Sequence, residues 1–330
     1  MQDDERAALS RIRSAVISGV HATLITVEAH RGKGLPRQTI VGLPGSAVRE
    51  SLDRIHAACS HCGLALPPRR TTINLAPAGT RKRGSALDLP IAVALLVADG
   101  TVPLEPFEGT VCLGELSLDG RTQPVPGVLP ATMAARAADL RRVLVPTANV
   151  DEASAVPDVE ALAIDSLGDA VAWARGERDL AVGSGGMPEE PQTALRTDLA
   201  DVKGQRVARR ALELAAAGGH HLLMSGPPGA GKTLLAQALP GLLPPLDFDE
   251  ALEVSAVHSV VGGLHGRGLL QARPFRAPHH GITSAGLMGG GSPLRPGEIS
   301  LATHGVLFPR RATRVPPPRP RVSAAVFGTG

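Results

Sequence analysis

"HHLLMSGPPGAGKTLLAQAL", residues 220–239, decides how this sequence is read. The apolar run before Ser225 reads as a buried strand, and the run after Lys232 reads as a helix. Between them Gly226, Pro227, Pro228, Gly229, Ala230, Gly231, Lys232 and Thr233 fit G-x-x-x-x-G-K-[ST] at every position. Glycines at these places let backbone N–H groups turn inward around a phosphate, and the helix that follows adds its positive N-terminal end. Lys232 then supplies a charge between the β- and γ-phosphates, and the Thr233 hydroxyl is a ligand for Mg²⁺. Binding of ATP or GTP with Mg²⁺ is the strongest chemical expectation the sequence supports, since a chance glycine-rich turn would not also carry the strand, the Lys-Thr pair and the helix.

Upstream, "DLADVKGQ" leads into a helix over 205–217 that stops at Gly218-Gly219. Before it, "VGSGGMPEEPQT" at 182–193 is rich in Gly, Pro and Glu without periodicity, as an interdomain linker would be. Residues 1–181 alternate strand and helix patterns and form a domain of their own. "ATLITVEA" and "RTTINLAPAG" read as strands. "DLPIAVALLVADG" reads as a helix with Asp88 at its N-cap and Pro90 in the first turn, and "TVCLGELSLDGRTQPV" as a hairpin around Asp119-Gly120. A helix near 131–138, the strand "RRVLVP", a short helix, the strand "VEALAI" and a last helix after Ser166 complete it. Val48, Leu52, Ile55, Cys59 and Cys62 recur at spacings of three and four, one apolar face of a helix. That face, more than a redox or metal role, accounts for the pair in Cys59-Ser60-His61-Cys62, which has no second ligand pair downstream. With Cys112 the cysteines number three, too few and too odd for a disulfide framework.

Composition sets wider bounds. There is no Tyr, one Trp and five Phe in 330 residues, so the cores must be built from Ala, Val, Leu and Ile. No stretch approaches the roughly 18 apolar residues of a membrane span, and "MQDDERAALSRIR" is too charged for a secretory signal, so a cytoplasmic protein is expected. The formal net charge of +3 argues neither for nor against nucleic acid as a partner.

Downstream of the phosphate loop, the best buried strand is Gly305-Val306-Leu307-Phe308. Hydrolysis needs an acidic residue at the end of such a strand to hold the Mg²⁺ shell and a second carboxylate to orient water. Here "PRRATRV" follows, and no acidic residue occurs after Glu298.

The motifs "GLPRQTIVGLPGSAVRES", "NLAPAGTRKRGSALDLPIAVALL", "LGELSLDGRTQPVPGVLPA", "DLADVKGQRVARRALELAAAGGHHLLMSGPPGAGKT", "RPFRAPHHGITSAGLMGGG" and "RPGEISLATHGVLF", in this order, resemble the YifB/ComM-type magnesium-chelatase-like AAA+ ATPases over roughly residues 12–308. The resemblance implies an α/β protein: a Lon-protease-like (ribosomal S5 domain 2-like) domain over 1–181, the linker, and an incomplete P-loop AAA+ parallel-sheet domain over 194–308, with 309–330 a disordered tail. It implies a homo-hexamer that uses ATP to drive branch migration on DNA, Val202 and Gln205 beside the nucleotide base, and a hairpin insert whose Arg273, Arg276 and Arg295 contact DNA. His279-His280 within that insert is expected to be a hydrogen-bonded loop pair more than a metal site. Lon-type proteolysis needs a Ser-Lys dyad; Ser85 stands near the serine position, but the lysine position falls near Leu129, so a non-proteolytic scaffold is expected. A magnesium-chelatase motor subunit, a Lon-like protease relative and a nucleic-acid-binding arm over 310–321 are the alternative readings.

After "GVLF" the family continues Leu-Asp-Glu and then a segment like Leu-Pro-Glu-Phe. Reading one base later across the codons of Pro309, Arg310, Arg311, Ala312, Thr313, Arg314, Val315 and Pro316 is compatible with Leu-Asp-Glu-[Pro/Leu]-Pro-Glu-Phe. A one-base frameshift just after Phe308 is the expectation, and it requires CGA codons at Arg310 and Arg311. Such a chain would hold a nucleotide and hydrolyse it poorly.

Overall fold

The computed structural model describes residues 8–82, 84–185, 197–264, 268–292, 294–309 and 324–329, the last six by their backbone. It divides into two compact units, the first holding residues up to 186 with the short segment 262–268, the second the remainder.

The first unit is a mixed sheet of eight strands clad by helices. In chain order it runs β1 (Ala8–Ser18), β2 (His21–Gly32), β3 (Arg37–Val41), α1 (Ser46–His61), β4 (Arg70–Ala76), α2 (Asp88–Ala98) and β5 (Thr110–Cys112). The hairpin β6 (Glu115–Leu116) and β7 (Thr122–Gln123) follows, then α3 (Val128–Ala137), β8 (Arg142–Pro146), α4 (Val150–Ser154), β9 (Glu160–Ile164), α5 (Leu167–Ala174) and β10 (Ala181–Val182). The order across the sheet is β10-β9-β8-β5-β1-β2-β4-β3. β1, β2 and β4 pair antiparallel, as do β9 and β10, while β3–β4, β1–β5, β5–β8 and β8–β9 are parallel.

Strand side chains alternate between faces, and two apolar clusters follow from that. Ile12, Cys112, Leu144 and Leu162 pack with α1, α2 and α5 on one face. Their neighbours Ala15, Val111, Val143 and Ala161 pack with α3 and α4 on the other. Where the sheet is covered twice, in β5, β8 and β9, the strands read as nearly continuous apolar runs. Helix α2 is buried on every side from Leu89 to Leu96, which its unbroken apolar composition requires. The expected face of α1 is realised: Val48, Ile55 and Cys59 are fully buried, with Leu52 and Cys62 packed beside them.

Asp88 corrects one expectation. It sits in the first turn of α2, not at the N-cap, and makes no capping bond. Its carboxylate, 1 % exposed, accepts from Arg54 Nε at 3.0 Å and Nη2 at 3.1 Å and from the backbone N–H of Leu116 at 3.3 Å. A buried carboxylate needs such partners. Burial still outweighs Arg54 and holds its pKa up at about 6.

The second unit contains α6 (Arg206–Gly218), β11 (Leu222–Ser225), α7 (Lys232–Leu242), α8 (Phe248–Val260), β12 (Phe275–Arg276) and α9 (Ser284–Met288). The ribbon β13 (Gly289–Gly290) and β14 (Arg295–Pro296), the turn of helix α10 (Glu298–Leu301), β15 (Val306–Leu307) and β16 (Ala324–Thr329) complete it. Its sheet is parallel, in the order β11-β16-β15-β12. Leu212, Met224, Leu235, Leu239, Val306 and Phe308 form the core.

Two expectations fail in this unit. Strand β11 is not buried throughout: Met224 is, but Leu223 is 64 % exposed, because only one face of the strand carries a packed helix layer. The tail 309–330 is not uniformly without structure either. Residues 310–323 lie outside the described residues, yet β16 inserts between the phosphate-loop strand and β15, with Leu222 opposite Val326 and Val306 opposite Ala324. Two parallel strands with facing unpaired N–H and C=O groups are a template for a third, and "AAVFGT" supplies the small and β-forming residues to fill it.

Candidate functional site

The site grows from β11. Its last residue, Ser225, runs into Gly226, and the chain turns through Gly229 (φ +80°) and Gly231 (φ +77°), left-handed positions where no Cβ is tolerated without strain. Helix α7 starts at once with Lys232, with neither a capping side chain nor an acidic residue in its first turn. Its first N–H groups therefore have no intrahelical partner and no competing carboxylate, the electrostatic condition for holding an anion. Lys232 Nζ folds back and donates to the carbonyls of Gly226 and, at 3.0 Å, Pro227. The ammonium thus hangs over the loop's own mouth.

Beside the loop lies a cleft of about 560 Å³, a volume within the range of small-molecule sites. Pro228, Gly229, Ala230, Gly231, Lys232 and Thr233 line it, joined by Leu234, Gln237 and Phe308. Phe308 follows β15 and is fixed by stacking on Phe275, ring centroids 6.4 Å apart, and by its N–H donating to the Arg276 carbonyl at 2.7 Å. The strand "GVLF" therefore delivers its C-terminal end to the phosphate loop. None of these nine lining residues is acidic.

Two family models match this chain: one described as magnesium chelatase, subunit ChlI, over residues 198–313, and one described as subunit ChlI of Mg-chelatase over 27–149. An uncharacterised protein of Mycobacterium tuberculosis is 48% identical over 303 residues, covering 91% of this chain and 60% of its own. Protein YifB of Escherichia coli is 42% identical over 308 residues (91% and 59%), and the competence protein ComM of Haemophilus influenzae 40% over 304 (91% and 60%).

The chain belongs to the YifB/ComM family of magnesium-chelatase-like proteins.

It spans about three-fifths of the length of these relatives. A weaker similarity, 28% over 175 residues and covering 50% of this chain, links it to the Lon protease of Salinispora arenicola, of which it covers 22%.

In this YifB/ComM chain the other expected residues are divided by the fold. Gln205, left-handed at the start of α6 (φ 49°), donates to the Ala230 carbonyl at 3.3 Å and so braces the phosphate loop. Val202 is buried with Leu199, Leu212 and Leu235. It supports the loop from the core and does not line the cleft. Gly226 and Pro227 likewise act through the carbonyls that hold Lys232. Gln237 and Phe308 were missed as lining residues. Gln237 was legible, four residues and so one helical turn beyond Thr233; Phe308 was not, since only sheet order brings it there.

The basic insert is largely committed inside the protein. Arg273, 8 % exposed, donates to the carbonyls of Pro244, His304 and Pro245 and pairs with Glu250 at 2.8 Å. Arg276 makes two bonds to Glu298, at 2.6 and 2.7 Å. Both have one cause: a partly buried guanidinium directs its donors to nearby carbonyls and carboxylates. Arg295 stays exposed on β14. His279 accepts from the Gly281 N–H at 3.3 Å and packs against His280 with ring centroids 4.0 Å apart, a turn arrangement.

In the first unit Ser85 Oγ donates to Glu115, and Leu129 is wholly buried. Lys82, three residues before Ser85, donates from Nζ to the Pro77 carbonyl and is not joined to the serine. Cys59 and Cys112 are buried thiols whose pKa burial pushes up to about 12, which keeps them protonated. Among the described residues no group of three His, Cys, Asp or Glu is arranged to hold a metal, and no helix is long and apolar enough to cross a membrane.

Proposed function

We propose that this chain binds ATP at the phosphate loop and turns it over slowly. The observation that carries the reading is the loop itself: free helix N–H groups, Lys232 poised on carbonyls that a phosphate would displace, and a cleft without a carboxylate. Thr233 offers Mg²⁺ one hydroxyl oxygen, and the nucleotide's own phosphates would supply others, so the residues fit a metal that arrives with the nucleotide. Mg²⁺ would neutralise charge between the phosphates. The lining contains no carboxylate to take a proton from an attacking water.

In the longer family form the same nucleotide cycle would drive a homo-hexameric motor on DNA, with Arg295 as the insert's remaining exposed arginine. The name of the ComM relative, a competence protein, supports a role in competence. Calorimetric titration with ATP and Mg²⁺ tests the first step. Lys232→Ala is expected to weaken binding by about a hundredfold, the effect of losing a charge-assisted phosphate interaction, while phosphate release from the unaltered chain stays near background. Rapid turnover abolished by Lys232→Ala would overturn the reading.

A further inference from the structure

The first unit contains a second cleft, of about 470 Å³, that neither the family resemblance nor the phosphate loop accounts for. Two stretches distant in sequence build it. "RGKGLPRQ" (31–38) carries the end of β2 into the edge strand β3, and "LPPRRT" (66–71) leads into β4. Pairing of the three strands sets Gly32 and Arg37 opposite Arg70, and Arg31 opposite Thr71. Lys33, Arg37, Arg69 and Arg70 are all exposed at this corner. None of them takes part in the ion pairs found among the described residues.

At the base of the cleft lies Arg31, its side chain 2 % exposed. Nη2 donates to the Pro67 carbonyl, and Nη1 lies 2.8 Å from Asp99 Oδ1 but outside hydrogen-bond geometry. Nε has no partner among the described residues. A buried guanidinium left partly unsatisfied is costly, and here Arg69 adds a like charge beside it. Burial first, then Arg69, lowers the Arg31 pKa against the pull of Asp99. His56 lies in the same wall, hydrogen-bonded to Gln38, with its pKa lowered by burial and by Arg31. Asp99, and Asp53 beside His56, are the acidic groups that face these cations, and neither lines the cleft. Leu66, Pro67, Pro68 and Leu95 form an apolar wall.

We propose that this cleft is an anion site for a phosphate group, held by Arg31, Arg37 and Arg69, with the apolar wall taking the body of the ester. Three arginines line the cleft and neither Asp99 nor Asp53 does, and planar forks are the donors that match phosphate oxygens. The phosphate belongs either to a small phosphate ester or to the backbone of a nucleic-acid strand passing the open edge of β3.

The test uses the full chain carrying Lys232→Ala, so that the phosphate loop does not report. Inorganic phosphate is titrated calorimetrically, and a fluorescein-labelled single-stranded DNA 12-mer by anisotropy at several salt concentrations. Adding Arg37→Gln and Arg69→Gln, both at exposed positions, is expected to weaken phosphate binding about tenfold or more. Lysines at the same two positions should restore part of it, which separates charge from folding. If the strand is the source, 12-mer binding falls in parallel, and the slope of log affinity against log salt drops by about 0.7 for each backbone phosphate no longer neutralised. If a small ester is the source, 12-mer binding is unchanged while phosphate binding falls. Absence of phosphate binding in the Lys232→Ala chain, or binding that the glutamine pair leaves within twofold, overturns the proposal.

Discussion

The first unit clads its sheet on both faces, whereas the second leaves Leu223 of its phosphate-loop strand and a stripe of α6 in the open. Of the exposed leucines and valines of the first unit, Leu35, Leu43 and Leu118 stand in turns, and Leu9, Val41 and Val182 stand in β1, the edge strand β3 and the edge strand β10. In the second, Leu223 stands inside β11, and Val207 and Leu214 stand seven residues apart on one stripe of α6. The difference teaches where stability comes from in each. The first unit rests on its own burial, including the charge pair Arg54–Asp88 under α2. The second depends more on whatever occupies its loops and edges, which suits a unit whose work is to respond to a ligand.

Four experiments sharpen or break that contrast, all read as thermal or denaturant unfolding of the two units. Arg54→Met should have the largest effect, lowering the first unit by about 3–5 kcal/mol, because it leaves the Asp88 carboxylate buried without its partner. A change under 1 kcal/mol would show that the pair is peripheral. The pH dependence of Asp88 comes next. Its folded pKa of about 6 lies above the ordinary carboxylate value, so the stability it contributes is complete below pH ~4 and is lost as pH rises through about 6. The stability difference between the wild-type chain and Asp88→Asn should therefore shrink by a few kcal/mol over that interval and then level off; a flat difference would contradict the pKa.

ATP with Mg²⁺ at a hundred times its dissociation constant should stabilise the second unit by about 2.7 kcal/mol and leave the first unchanged. Lys232→Ala should abolish that shift, and an equal shift in both units would refute their independence. The smallest effect is expected from Leu223→Thr. At an exposed strand position it should move stability by no more than about 0.5 kcal/mol, while reducing self-association in light scattering. A loss above 2 kcal/mol would mean that β11 is covered after all.

The phosphate loop was legible because its requirements are local: each glycine answers to a backbone angle, and Lys232 and Thr233 sit at fixed offsets from them. The strand–helix alternation of residues 8–182 was legible because apolar periodicity reports burial directly. What escaped were side-chain roles that depend on a partner distant in the chain. Asp88 looked like a cap, since Arg54 stands 34 residues away. Arg273 and Arg276 looked like surface charges, since Glu250 and Glu298 lie 23 and 22 positions from them. "AAVFGT" looked like the end of an unstructured tail until two strand edges were there to receive it.

From its own residues the sequence determined that this protein carries a phosphate loop, belongs with the YifB/ComM proteins, and brings "GVLF" without carboxylates. Local torsion and side-chain chemistry suffice for those. Only the tertiary structure decided which cations are free. A guanidinium's role depends on the carbonyls and carboxylates within about 3 Å of it, and folding alone placed Arg273 and Arg276 among theirs while leaving Arg37 and Arg69 beside an unsatisfied Arg31.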